Sequence, residues 1–79
     1  MTITAEQSRA ARGLLNWSQM RLGSAAQLSE STIRDFEKGR RIPSVNNLAA
    51  IRGALEAAGV TFLADGQSAV GDGVSLRRD

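Results

Sequence analysis

Four hydroxyl residues, Thr4, Ser18, Ser29 and Ser44, each stand immediately before a run whose apolar residues recur every three or four positions. Short hydroxyl side chains at such places accept from the backbone N–H groups that open a helix. Thr4-Ala5-Glu6-Gln7 adds a Gln three residues on, the reciprocal capping pattern. Matching stop signals close the segments. Asn16 suits a left-handed helix end, Gly39 and Gly59 end their runs, and Pro43 sits in the connector Arg40-Arg41-Ile42-Pro43. The spacing therefore predicts four short helices, over about Ala5 to Leu15, Gln19 to Ala26, Glu30 to Lys38 and Val45 to Ala58. Along the fourth, Leu48, Ile51, Ala54 and Leu55 line one side.

After Gly59 the pattern changes. Val60-Thr61-Phe62-Leu63-Ala64 is β-branched and aromatic, and Val74-Ser75-Leu76-Arg77 alternates. Between them Asp65 to Gly73 holds three of the eight glycines and reads as a loop. The pair predicts a C-terminal β-hairpin. A lone hairpin is marginal in water, so it must lie against the helices or another chain. The expected fold class is mainly α, a small helical bundle with a short C-terminal β-hairpin. The expected division is 1–59 for the helical domain and 60–79 for the β extension.

Seventy-nine residues allow one small core. The chain has no Cys, His or Tyr, which removes disulfides, the commonest metal ligand and the commonest general base and leaves only Asp/Glu, Lys and Ser for chemistry. No metal, no cofactor and no enzymatic activity are expected. The N-terminus carries no charged segment followed by an apolar stretch, and no apolar run nears the roughly 20 residues that span a bilayer. The expectation is a cytoplasmic protein with no membrane partner.

Charge is uneven. Residues 1–55 hold eight basic and four acidic side chains, while residues 56–79 hold two basic and four acidic. All basic residues but Lys38 are Arg, whose planar fork suits phosphates and base edges. Leu22, Ala26, Leu28, Ile33 and Phe36 are spaced to meet in one core, with Gly23 small enough for close helix approach. The other side of the third helix, beginning at Glu30-Ser31-Thr32, is then left with nothing to bury. A short helix projecting a polar face from a tight two-helix turn has the shape a DNA major groove accepts.

Trp17-Ser18-Gln19, Leu22, Leu28-Ser29, Ser31-Thr32-Ile33 and Phe36-Glu37-Lys38-Gly39, followed by Pro43, resemble the phage-repressor (Cro/CI-like, or XRE) helix-turn-helix family over roughly residues 5–58. The resemblance implies a lambda-repressor-like bundle of four or five helices that binds double-stranded DNA, usually as a homodimer on a palindromic operator. By position, Gln19 opens the second helix and should touch both a phosphate and the reading helix. Glu30, Ser31 and Asp35 fall at base-reading positions, with Thr32 and Arg34 close enough to add contacts. Lys38, Arg40 and Arg41 fall where members grip the DNA backbone. Arg12 and Glu37 fall where related repressors form a buried ion pair.

Three features depart from the family's pattern. Gln27 stands where a turn Gly is usual, and a positive φ there would cost roughly 1 kcal/mol. Met20 and Arg21 replace small or acidic residues. Two acidic residues, Glu30 and Asp35, occupy reading positions: either they accept from cytosine N4, or Arg34 holds them back and they contact nothing.

Plainer roles stand beside these. Ser18, Ser29 and Ser44 are helix caps first, and Ser18 can also reach a phosphate from a helix N-terminus. Trp17 belongs in the core, and Phe36 and Phe62 in the core or an interface. Arg77-Arg78 reads as a frayed tail. The glycine-rich loop lacks the Gly-Lys-Ser/Thr ending of a phosphate cradle. Val60, Phe62, Val74 and Leu76 carry an apolar surplus that predicts a self-association surface in the hairpin. The functional expectation is a sequence-specific transcriptional regulator acting as a repressor. The alternative is an antitoxin-like or adaptor protein whose main partner is another protein.

Overall fold

A computed structural model describes residues 3–63 and 73–76. Four helices are followed by two strands: α1 (Ala5–Leu15), α2 (Gln19–Ala26), α3 (Glu30–Glu37), α4 (Val45–Ala57), β1 (Val60–Leu63) and β2 (Gly73–Leu76). The expected elements are all present, with α3 and α4 ending one residue early and β2 beginning one residue early, at Gly73. The loop from 64 to 72 and the Arg77-Arg78 tail lie outside the described residues.

Local chemistry accounts for the boundaries. Thr4 and Gln7 close the reciprocal cap, with the Thr4 hydroxyl 3.1 Å from the Gln7 N–H and the Gln7 side-chain oxygen 2.9 Å from the Thr4 N–H. Ser18, Ser29 and Ser44 accept from the N–H groups of Arg21, Thr32 and Asn47. Asn16 ends α1 in the left-handed conformation at φ 57°. Gln27 does the same for α2 at φ 60°, so this non-glycine turn does carry the positive φ whose cost was weighed above. Its N–H and that of Leu28 bond to the carbonyls of Ser24 and Gly23, closing the chain into the next segment.

The turn is tight because Gly23 lets it be. A Cβ placed on Gly23 would lie 2.7 Å from the Leu28 carbonyl oxygen, a backbone atom that cannot swing aside. Gly23→Ala should therefore push the entry of α3 away from α2. Overpacking of this kind costs about 1–3 kcal/mol, set against a gain in helix propensity of up to about 1 kcal/mol. The expected net result is a lower urea midpoint, measured by far-UV circular dichroism. A midpoint equal to the parent's would show that the turn has slack.

One interior joins all the elements. Ile3, Ala11, Leu22, Ala26, Ile33, Phe36, Ile51, Leu55, Val60 and Phe62 form it, with Trp17, Leu28, Leu48 and Val74 packed around it. β1 and β2 pair antiparallel with Val60 opposite Leu76 and Phe62 opposite Val74. The expected boundary after residue 59 thus runs between elements that share a single hydrophobic core. Val60 and Phe62 are only 3% and 6% exposed, so their side chains point into this core. Val74 is half-buried against the same core.

Candidate nucleic-acid interface

The side chains of α3 divide by helical phase. Ile33, Phe36 and Glu37 are buried and hold the helix to the body. At about 100° per residue, Arg34, Ser31 and Asp35 fall within one sector directly opposite. Ser31 and Arg34 are exposed and Asp35 is partly exposed. Glu30 and Thr32 flank this sector, Glu30 exposed and Thr32 half-buried. At the N-terminus of α3 the hydroxyls form a small network, with Ser29 Oγ 3.1 Å from Ser31 Oγ and 2.8 Å from Thr32 Oγ1. Neither Glu30 nor Asp35 is paired with Arg34, so the restraint considered for them is not present among the described residues.

Behind this face lies a polar anchor. Glu37 is buried, and four donor groups on three side chains converge on its carboxylate. Arg12 Nη2 is 2.6 Å from Oε1, Arg12 Nε is 2.9 Å from Oε2, Ser8 Oγ donates to Oε2 at 2.6 Å and Gln19 Nε2 donates to Oε1 at 3.2 Å. The Arg12–Glu37 pair implied by the family resemblance is therefore made, with Glu37 1% and Arg12 19% exposed. Arg12 also donates from Nη1 to the Trp17 carbonyl, and Arg9 donates to the Glu37 backbone carbonyl. Burial pushes the Glu37 carboxyl up, but hydrogen bonds from Arg12, Ser8 and Gln19 and the Arg12 charge outweigh it, and the group lies below the usual carboxylate range. The hydrogen bond to Glu37 in turn raises the Arg12 guanidinium above its ordinary value. α1, the start of α2 and the end of α3 are tied at one point.

Gln19 makes the expected contact with the third helix through this carboxylate. The sequence marks Gln7 only as a capping partner of Thr4, and nothing in it marks Ser8 or Arg9. The buried side of α1 carries Gln7 and Ser8 beside Ala11, and the two polar side chains require polar partners once they leave water. Gln7 finds one in the Leu63 carbonyl at 3.3 Å, joining α1 to β1.

Beyond α3 the chain turns at Gly39, φ 75°, where the Arg40 N–H bonds to the Asp35 carbonyl. Lys38, Arg40 and Arg41 follow in sequence and are all exposed. Ser18 is exposed at the N-terminus of α2. Trp17, expected in the core, is half-buried at its edge, with the Arg21 guanidinium 5.1 Å from the ring centroid. No helix among the described residues is long and apolar enough to cross a membrane.

Two helices locked through a tight left-handed turn, the second displaying a polar face, define a helix-turn-helix domain. A protein-family model described as "Helix-turn-helix" matches residues 9–58. The chain belongs to this Cro/CI-like (XRE) helix-turn-helix family, and a DNA-binding regulatory role goes with the domain. No curated protein matches the chain.

Proposed function

We propose that this protein is a sequence-specific transcriptional repressor that inserts α3 into the major groove of a palindromic operator as a homodimer. The observation that carries the reading is the division of α3, anchored on one side by Ile33, Phe36 and the Glu37 ion pair and displaying Ser31, Arg34 and Asp35 on the other. In this reading Glu30, Ser31, Thr32, Arg34 and Asp35 contact base edges. Ser18, Gln19, Lys38, Arg40 and Arg41 contact phosphates and set the register.

One reading helix supplies modest affinity, and two on half-sites about 34 Å apart supply what specific regulation needs. With Val60 and Phe62 turned into the core, self-association through the hairpin uses its strand edges and the outer surface of β2. Unpaired strand edges favour pairing across a two-fold axis.

Arg40→Ala together with Arg41→Ala tests the backbone contacts. The double variant should bind all duplexes more weakly, with the slope of log K against log salt reduced by about two per protomer and so by about four for the bound dimer. Fluorescence anisotropy across a salt series measures this. An unchanged slope would remove both residues from the interface.

A further inference from the structure

The acidic residues of α3 are not equivalent. Glu30 is the first residue of the helix, where unsatisfied backbone N–H groups favour a carboxylate. The fold therefore explains it without a ligand. Asp35 lies in the last turn, where the helix end is negative and a carboxylate is unfavourable. Its side chain has no hydrogen-bond or ion-pair partner among the described residues, neither Arg34 beside it nor Lys38 three residues on. Glu37, two residues away, shows what a carboxylate used by the fold looks like, with Arg12, Ser8 and Gln19 all donating to it.

We infer that Asp35 is a specificity-determining residue of α3 and that its carboxylate selects cytosine at one position in each half-site by accepting from the N4 amino group. The inference rests on the DNA-binding reading above. Asp35 sits one turn after Ser31 in the outward sector of the helix. A carboxylate there is repelled by phosphates on any duplex, so it weakens binding to DNA in general. Only an exposed amino group on a base edge compensates, and in the major groove cytosine N4 and adenine N6 are the two available. Adenine sets N7, an acceptor, beside N6, and this repels a carboxylate. Cytosine presents no such neighbour on its own edge.

The test uses the full chain and a random duplex pool from which bound sequences are recovered. The parent protein should enrich a cytosine at one fixed position per half-site. Replacing that base by N4-methylcytosine, whose methyl group takes the place of the groove-facing hydrogen, should weaken binding about 5- to 150-fold. Asp35→Asn should move the preference at that position to adenine, since an amide both donates and accepts. Asp35→Ala should erase it while binding random DNA more tightly. Both variants should melt no lower than the parent.

An Asp35→Ala protein that keeps the parent's cytosine, or a methylated site bound as well as the parent site, would overturn the inference and leave the DNA-binding reading intact. A parent protein that enriches no sequence would overturn both.

Discussion

Replacing Glu37 by Ala is expected to destabilise the domain by about 3–5 kcal/mol, the usual consequence of removing one partner of a buried ion pair. The reason lies less in the lost attraction than in what remains. Arg12, Ser8 and Gln19 all donate to this carboxylate, and Ser8 is fully buried. Without the acceptor their donors must find water in a place built to exclude it. At about 4–8 °C per kcal/mol for a domain of this size, the melting midpoint should fall by well over 10 °C. Differential scanning calorimetry measures it. A midpoint within a few degrees of the parent would mean that the cluster contributes little net stability.

The same carboxylate makes stability depend on pH. Its pKa is lower in the folded chain than in the unfolded one, so on acidification the unfolded chain takes up the proton first. The contribution of Glu37 is complete above the ordinary carboxylate value of about 4.3. It disappears as the pH falls through the lower folded value. Glu37→Gln should lie below the parent in stability at neutral pH and converge on it in acid. Two curves that remain parallel from neutral pH into acid would contradict this.

Phe62→Ala should be comparable in effect, at about 3–5 kcal/mol. Phe62 is 6% exposed, sits in the shared core and lies under the Arg52 guanidinium, 5.4 Å from its ring centroid. Deleting residues 60–79 would remove Val60 along with it and should give a chain without a cooperative unfolding transition. A folded fragment 1–59 with the parent's helix content, seen by circular dichroism, would show that the helices form a sufficient core alone. The comparison also separates two roles of the hairpin. The point variant tests the core, whereas sedimentation of a variant altered only at the exposed Thr61 and Ser75 tests association.

The helical plan was legible because it is written locally. Thr4, Ser18, Ser29 and Ser44 cap helices within three residues of themselves, and Asn16 and Gln27 turn the chain through their own φ. The Arg12–Glu37 pair spans 25 positions and came from family resemblance, not spacing. Ser8 was invisible for a similar reason. Nothing near it in sequence says that a carboxylate 29 positions away will be delivered to its hydroxyl. Val60 and Phe62 were seen as apolar, but period-two alternation does not say which side of a strand meets the bundle. That depends on how β1 leaves α4 through Gly59, at φ 106°, and on α1 offering Gln7 to the Leu63 carbonyl. The outward face of α3 was legible because three anchors at helical spacing leave one opposite sector.

Because the buried side chains of α3 are Ile33, Phe36 and Glu37, its exposed strip forms a keyboard that can be rewritten without rebuilding the instrument. Under the proposed function, exchange at positions 31, 34 and 35 should change which word is read, while the scaffold that presents the word should keep its melting behaviour. A small family of orthogonal switches could be drawn from this one short chain by substitution on that strip.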